Sequence, residues 1–179
     1  MDAMSFLWGG DPIANMLGTW SQQLNTGSAL LRIGISVMAA SIIGCERSSK
    51  RHSAGLRTFV LMSFASSVCM ILDVYSMQIN PDGTPILCAA AIIAAALMSG
   101  KSILFSSRSQ IKGLTTSVAL WACSVFGFAA GAGLYTLALM VFLFLLCILS
   151  CFPWIEQYLK DRSNHFEIHL ELKNSEYLQ

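Results

Sequence analysis

The chain has 179 residues, a formal net charge of +1 and a mean hydropathy of +0.61. Hydrophobic residues make up 55% and charged residues 12%, about half the charged share of a soluble domain, so an ordinary water-soluble fold is excluded and lipid is the expected solvent. The small net charge conceals an uneven distribution, with no Lys or Arg before Arg32 and then Arg47, Lys50, Arg51 and Arg57 close together.

Residues 1–27 form a first region. Phe6, Leu7, Trp8, Ile13, Met16, Leu17 and Trp20 stand there among few charges, which suits a short amphipathic segment lying at a membrane interface. A basic leader and a long apolar core are both missing from it, so no signal peptide is expected and the first spanning helix is expected to direct insertion.

Residues 28–152 form the membrane region. Crossing about 30 Å of hydrocarbon takes roughly 20 residues of helix, because in lipid the backbone must satisfy its own hydrogen bonds. Five stretches qualify: Ser28 to Gly44, Leu56 to Met77, Ile86 to Leu104, Leu114 to Ala130 and Leu134 to Phe152. Asn80-Pro81-Asp82-Gly83 is a turn that closes the second. Gly131-Ala132-Gly133 is a link so short that the fourth and fifth become antiparallel neighbours. The fold class is an all-α integral membrane protein with about five transmembrane helices.

Residues 153–179 form a tail. PWIEQYLKDRSN reads as a juxtamembrane helix, and HFEIHLELK alternates so that Phe166, Ile168, Leu170 and Leu172 share one face of a strand. One strand cannot stand alone, so it pairs with another chain or begins a small domain. His165 and His169 share its other face with Glu167 and Glu171, and are read as surface residues rather than metal ligands.

Orientation follows from the cytoplasmic bias of Lys and Arg in short loops. Arg47, Lys50, Arg51 and Arg57 lie in the first loop, Arg108 and Lys112 in the third, and Lys160 and Arg162 in the tail, whereas the second and fourth loops have none. The N-terminus is therefore expected outside and the C-terminus inside, in a bacterial-type inner membrane. Arg47, Lys50 and Arg51 are read first as topology determinants that attract anionic lipid.

Several residues carry two readings. Glu46, at the end of the first helix, is either a solvated interfacial charge or part of a desolvated network with Arg57, Lys101 or Lys112, since ionisable groups in membranes are costly and often functional. Lys101 either snorkels to the interface or faces inward toward Glu46. Asp73 is placed at the outer interface, and Arg32 is read as a snorkelling anchor. Gly127 and Gly131, and Ala40 and Gly44, have the four-residue spacing that lets helices approach closely in lipid, within the chain or in a homodimer. Gly55, Gly100, Gly113 and Gly133 are further packing or turn positions. The six cysteines, Cys45, Cys69, Cys88, Cys123, Cys147 and Cys151, all lie in or beside apolar runs and are read as small buried thiols.

Three segments carry a resemblance. Ile43-Gly44-Cys45-Glu46-Arg47 with Ala54-Gly55-Leu56-Arg57-Thr58, then Lys112 to Trp121 (KGLTTSVALW), then the glycine-rich Gly127 to Tyr135 resemble, in that order, motifs of the MgtC/SapB family of membrane proteins. The resemblance covers about Leu30 to Leu149. It implies an inner-membrane role in adaptation to magnesium limitation or to acid or ionic stress and regulation of a partner membrane protein such as the ATP synthase, while the functional charge network read from the residues is Glu46, Arg47, Arg57, Lys101 and Lys112. It also implies that the tail strand begins an ACT-like domain. The chain departs from the family pattern at Ala91, where glutamine is usual, and at Lys101, where a small residue is usual. The alternative reading is a transporter or channel for a cation or a small solute. No catalytic residue, metal site, cofactor or nucleic-acid partner is expected; membrane lipids are.

Overall fold

The structure, a computed structural model, describes residues 11–49, 54–101, 104–105 and 111–162. Two short helices, α1 (Pro12–Leu17) and α2 (Thr19–Gln22), precede the long helices α3 (Thr26–Ser49) and α4 (Leu56–Ile79). Then come α5 (Ile86–Gly100), the two-residue strands β1 (Leu104–Phe105) and β2 (Ile111–Lys112), and the helices α6 (Leu114–Ala132) and α7 (Tyr135–Arg162). The proposed tail strand, with His165 and His169, lies outside the described residues.

The helices begin and end where the local chemistry dictates. Asp11 caps α1 through the amide of Ile13, and Pro12 occupies the first helical position, where its missing N–H costs nothing. Gly18, at φ 91°, breaks the chain between α1 and α2. A turn closed by the Gly83 amide on the Asn80 carbonyl follows α4. Gly133, at φ 82°, ends α6, with its own amide on Ala130 and that of Leu134 on Ala129. This is the Schellman arrangement, which needs the left-handed conformation that glycine adopts freely.

Four helices, α3, α4, α6 and α7, are long and apolar enough to cross a membrane. The third expected span is shorter than the sequence suggested: α5 has 15 residues, about 22 Å of rise against a hydrocarbon core of about 30 Å. Ser99 and Gly100 are weak helix formers, and Leu104 and Phe105, expected to be helical, instead pair antiparallel with Lys112 and Ile111. The fifth expected span continues without a break through Pro153 to Arg162. A multi-pass helical membrane protein results.

Helix α6 touches each of the other four long helices, and α4 packs along α3, α5 and α6. The packing inverts that of a soluble bundle. On α3 the buried residues are Ser28, Arg32, Ser36, Ala40, Ile43, Gly44 and Arg47, while Leu30, Met38 and Ile42 face outward. Apolar solvent gives no reason to bury apolar side chains, so small and polar residues take the interior. The cysteines show the same logic and correct the buried-thiol reading. Cys123 is buried, Cys69 and Cys88 are half-buried, and Cys45, Cys147 and Cys151 are exposed; all six are free. A thiol is compatible with a lipid-facing surface as well as with a core.

Glycine sets the distance between helices at three crossings. A Cβ on Gly44 would lie 2.8 Å from Leu56 Cα, one on Gly131 would lie 2.6 Å from the Ser67 carbonyl oxygen, and one on Gly127 would collide with the Ser63 carbonyl. Among the described residues Gly100 has nothing within 4 Å of that position. Gly131→Ala should therefore destabilise the fold in detergent by an amount typical of overpacking, about 1–3 kcal/mol, and lower its melting midpoint. Gly100→Ala should leave the midpoint unchanged or raise it slightly. Equal effects of the two would mean that the α4–α6 crossing is not close-packed.

Candidate functional site

The helices alternate in direction, so the bundle has two ends. One gathers α1, α2, the start of α3, the α4–α5 turn and the α6–α7 turn, and is here termed the strap end. The other gathers the end of α3, the start of α4, Lys101 and the start of α6, and is termed the basic end. In hydrocarbon, the unpaired amides at a helix start and the unpaired carbonyls at a helix end need partners. Arg32 and Asp73 from other helices and Asp11 at the head of α1 supply them, and Arg47 serves a carbonyl left open inside α7.

At the strap end Arg32 is 2% exposed. Its Nη1 donates to the Gly131 carbonyl at 3.1 Å, and its Nη2 to the carbonyls of Ser21 at 3.2 Å and Gln22 at 3.3 Å. The Schellman turn uses the carbonyls of Ala129 and Ala130, which leaves that of Gly131 for the guanidinium. The absence of a side chain at Gly133 makes room for it, since a Cβ there would lie 2.7 Å from Nη2. Hydrogen bonds to a charged group contribute about 1.5–3 kcal/mol each, so three carbonyls offset a desolvation cost of several kcal/mol without a carboxylate. The negative end of the α6 dipole acts in the same direction. The snorkelling expected of Arg32 is thus corrected: its stripe on α3 faces the bundle, and carbonyls stand where the interface was expected.

Two aspartates complement helix starts. Asp73, 3% exposed near the end of α4, accepts from the amides of Leu87 at 3.1 Å and Cys88 at 2.6 Å. It therefore caps α5 from a neighbouring helix. Asp11 accepts from the Thr136 amide at 3.0 Å as well as from the Thr136 hydroxyl and the Ile13 amide, and so caps both α1 and α7. Tyr135 donates its hydroxyl to the Ser21 carbonyl at 3.2 Å.

At the basic end Arg47 is also 2% exposed, with Nη2 donating to the Leu149 carbonyl at 3.4 Å. Leu149 precedes Pro153 by four residues inside α7. Proline has no amide to give to that carbonyl, and Arg47 supplies the donor. Glu46 is half-buried beside Arg47 and within its electrostatic reach, whereas Arg57 and Lys101 are exposed. The side chain of Lys112 lies outside the description. Arg47 is therefore a buried cation and not a loop charge, because α3 runs on to Ser49 and keeps it on the inward stripe.

Between the two arginines runs a seam of serines. Ser36 and Ser63 share a hydrogen bond of 2.9 Å, Ser66 and Ser124 one of 2.7 Å, and Ser67 is fully buried with its hydroxyl unpaired among the described residues. Sequence reasoning missed this seam. Its signal was present as Arg32, Ser36, Ala40 and Gly44 at four-residue steps on one helix face. The two halves of the first motif also meet, since Gly44 packs on Leu56 and the buried Ile43, Ala54 and Phe59 share one cluster. Gly55 has only the Ser48 hydroxyl near its open side, and Gly113, at φ 88°, begins α6.

The fold and this end-capping define a polytopic helical membrane domain whose buried charges bridge helix ends. The chain belongs to the MgtC family, whose model matches residues 33–158. Protein SapB of Bacillus subtilis (strain 168) is 29% identical to it over 154 residues, 82% of this chain and 66% of SapB. YhiD of Escherichia coli (strain K12), whose name proposes a magnesium transporter, is 27% identical over 150 residues, 81% of this chain and 70% of YhiD. MgtC of Brucella abortus (strain 2308) is 27% identical over 129 residues, 72% of this chain and 52% of that protein. No solved structure matches the chain.

One consequence is a dependence on pH. Burial acts to raise the Asp11 carboxyl, but hydrogen bonds from Thr136 and from the Ala14 and Ile13 amides outweigh it and hold the group below its ordinary 3.8. A depressed carboxyl stabilises the fold fully above its unfolded value, about pH 4, and the stabilisation is lost as the pH falls through the depressed value. The melting midpoint of D11N should accordingly lie below that of the wild type near neutrality, with the gap closing in acid. A gap that stayed constant with pH would show that the carboxylate charge is not what holds Thr136.

Proposed function

We propose that this membrane domain serves adaptation to magnesium limitation or to acid or ionic stress by docking on and regulating a partner membrane protein, and that it is not an enzyme. The observation that carries the reading is the use of the buried charges. Arg32, Asp11 and Asp73 bridge helix ends and Arg47 meets the carbonyl that Pro153 leaves open inside α7, whereas a conduction path needs ionisable groups or unwound helix available to the solute near midbilayer. Exposed cations among the described residues, Arg57, Lys101 and Arg162, gather at the basic end. Beside Arg57 lies a shallow cleft of about 470 Å³ walled by Ser41, Leu56, Val60 and Leu61. A cationic rim next to an apolar cleft suits an amphipathic helix of a partner; the ATP synthase is the partner that the family resemblance suggests. Transport is the second reading, favoured by the name of YhiD.

The orientation we propose puts the basic end in the cytoplasm of a bacterial inner membrane and the strap end outside. With α5 short, the bilayer thins locally around it. A single cysteine placed at Ser49 in a cysteine-free background should resist an impermeant thiol reagent in intact cells and react after permeabilisation. Reaction in intact cells would reverse the topology.

Function is tested in a strain that lacks its own family member. Wild type should restore growth at low magnesium, and the double variant R57Q K101Q should keep its melting midpoint but lose both rescue and co-purification with the partner. Proteoliposomes should show no magnesium flux above that of protein-free vesicles. Magnesium flux dependent on the protein would move the assignment to transport.

A further inference from the structure

Beside Arg32 lies an apolar slot of about 260 Å³, walled by Ile35 and Ala39 of α3, Tyr135, Leu139 and Phe142 of α7, and roofed by Ile13 of α1. Ile35 and Ala39 follow Arg32 by three and seven residues, so the arginine tops the stripe that forms one wall. Tyr135 joins the two features, since its ring lines the slot and its hydroxyl shares the Ser21 carbonyl with Arg32.

We propose that α1 and α2 form a displaceable strap, and that the site beneath takes an anionic phospholipid, with its phosphate on the Arg32 guanidinium and an acyl chain in the slot. The cation is the reason for an anionic headgroup. Among the described residues Arg32 bonds only to carbonyls, and its Nε is buried with no partner. Two of its three carbonyls belong to the strap, so displacing the strap exposes a guanidinium with one partner left. A phosphate then provides what the strap withdraws, with charge in addition. The slot is the reason for a chain, because its walls are apolar and extend from that cation along α3 and α7.

The strap is built to be displaced. Its two helices have six and four residues, too short to persist alone. Among the described residues its polar ties to the rest run through Asp11 and Ile13 to Thr136, and through Ser21 and Gln22 to Arg32 and Tyr135. The contacts that close it are thus on the residues that the lipid would occupy or adjoin.

The test uses the full chain in detergent, incubated with equimolar phosphatidylglycerol and phosphatidylcholine, with retained lipid counted by native mass spectrometry. Wild type should retain phosphatidylglycerol preferentially. D11N, which loosens the strap, should raise that preference several-fold, and R32Q should abolish it. A39F fills the slot while keeping Arg32, so it should also abolish the preference even if R32Q fails to fold. Equal retention of the two lipids by wild type and D11N would overturn the proposal, as would a preference that survives A39F. Inorganic phosphate is the third arm: if it stabilised D11N as strongly as phosphatidylglycerol does, the site would hold a free anion and the lipid assignment would fall.

Discussion

Helix ends in hydrocarbon are the constraint on which this structure depends. Inside a helix each amide has its carbonyl, but at every start and finish, and wherever proline interrupts the ladder, groups are left that water cannot reach. This chain answers such places with four charged side chains, of which Arg32 and Asp11 each serve two helices. Asp73 and Asp11 face helix starts, where amides and the positive end of the dipole lie; Arg32 faces helix finishes and Arg47 the carbonyl that Pro153 leaves open. The signs agree with the dipoles at each helix terminus.

Three of these ties join elements distant in sequence, by 99 residues for Arg32 and Gly131, 102 for Arg47 and Leu149 and 125 for Asp11 and Thr136. The arginines therefore act as pins at the two ends of α3, and the serine seam and glycine crossings lie between them. Close approach of α4 and α6 at Gly127 and Gly131 puts backbone against backbone. Serine pairs across helices in membranes contribute only about 0.6 kcal/mol each on average, so packing and the end pins matter more than the seam. Among the long helices the less buried are α5, with only Ala95 and Ser99 buried, and α7.

Membership in the MgtC family acquires a physical meaning from the same geometry. The first motif is one helix crossing read in two pieces, Gly44 allowing the approach of Leu56 while Arg47 anchors α3 to α7. On α5, Ala91 lines a groove of about 380 Å³ between α4 and α5, and Lys101 caps the end of the helix in an exposed position.

The sequence by itself determined the solvent, the helical class and the approximate bounds of four spans, because apolar runs of some twenty residues have one stable form in lipid. It also determined the turns at Asn80 to Gly83 and at Gly133, where local conformation requires those residues. Only the tertiary structure decided which charges are buried. Arg32 and Arg47 looked like interface residues because a single helix shows neither its inward face nor the carbonyl waiting on the next one. The same holds for Asp73, whose partners are fourteen and fifteen residues away across a turn, and for the length of α5, which ends where its packing and its weak final residues give out. Burial of a charge is a property of the partner as much as of the residue, and the partners are brought together only by the fold.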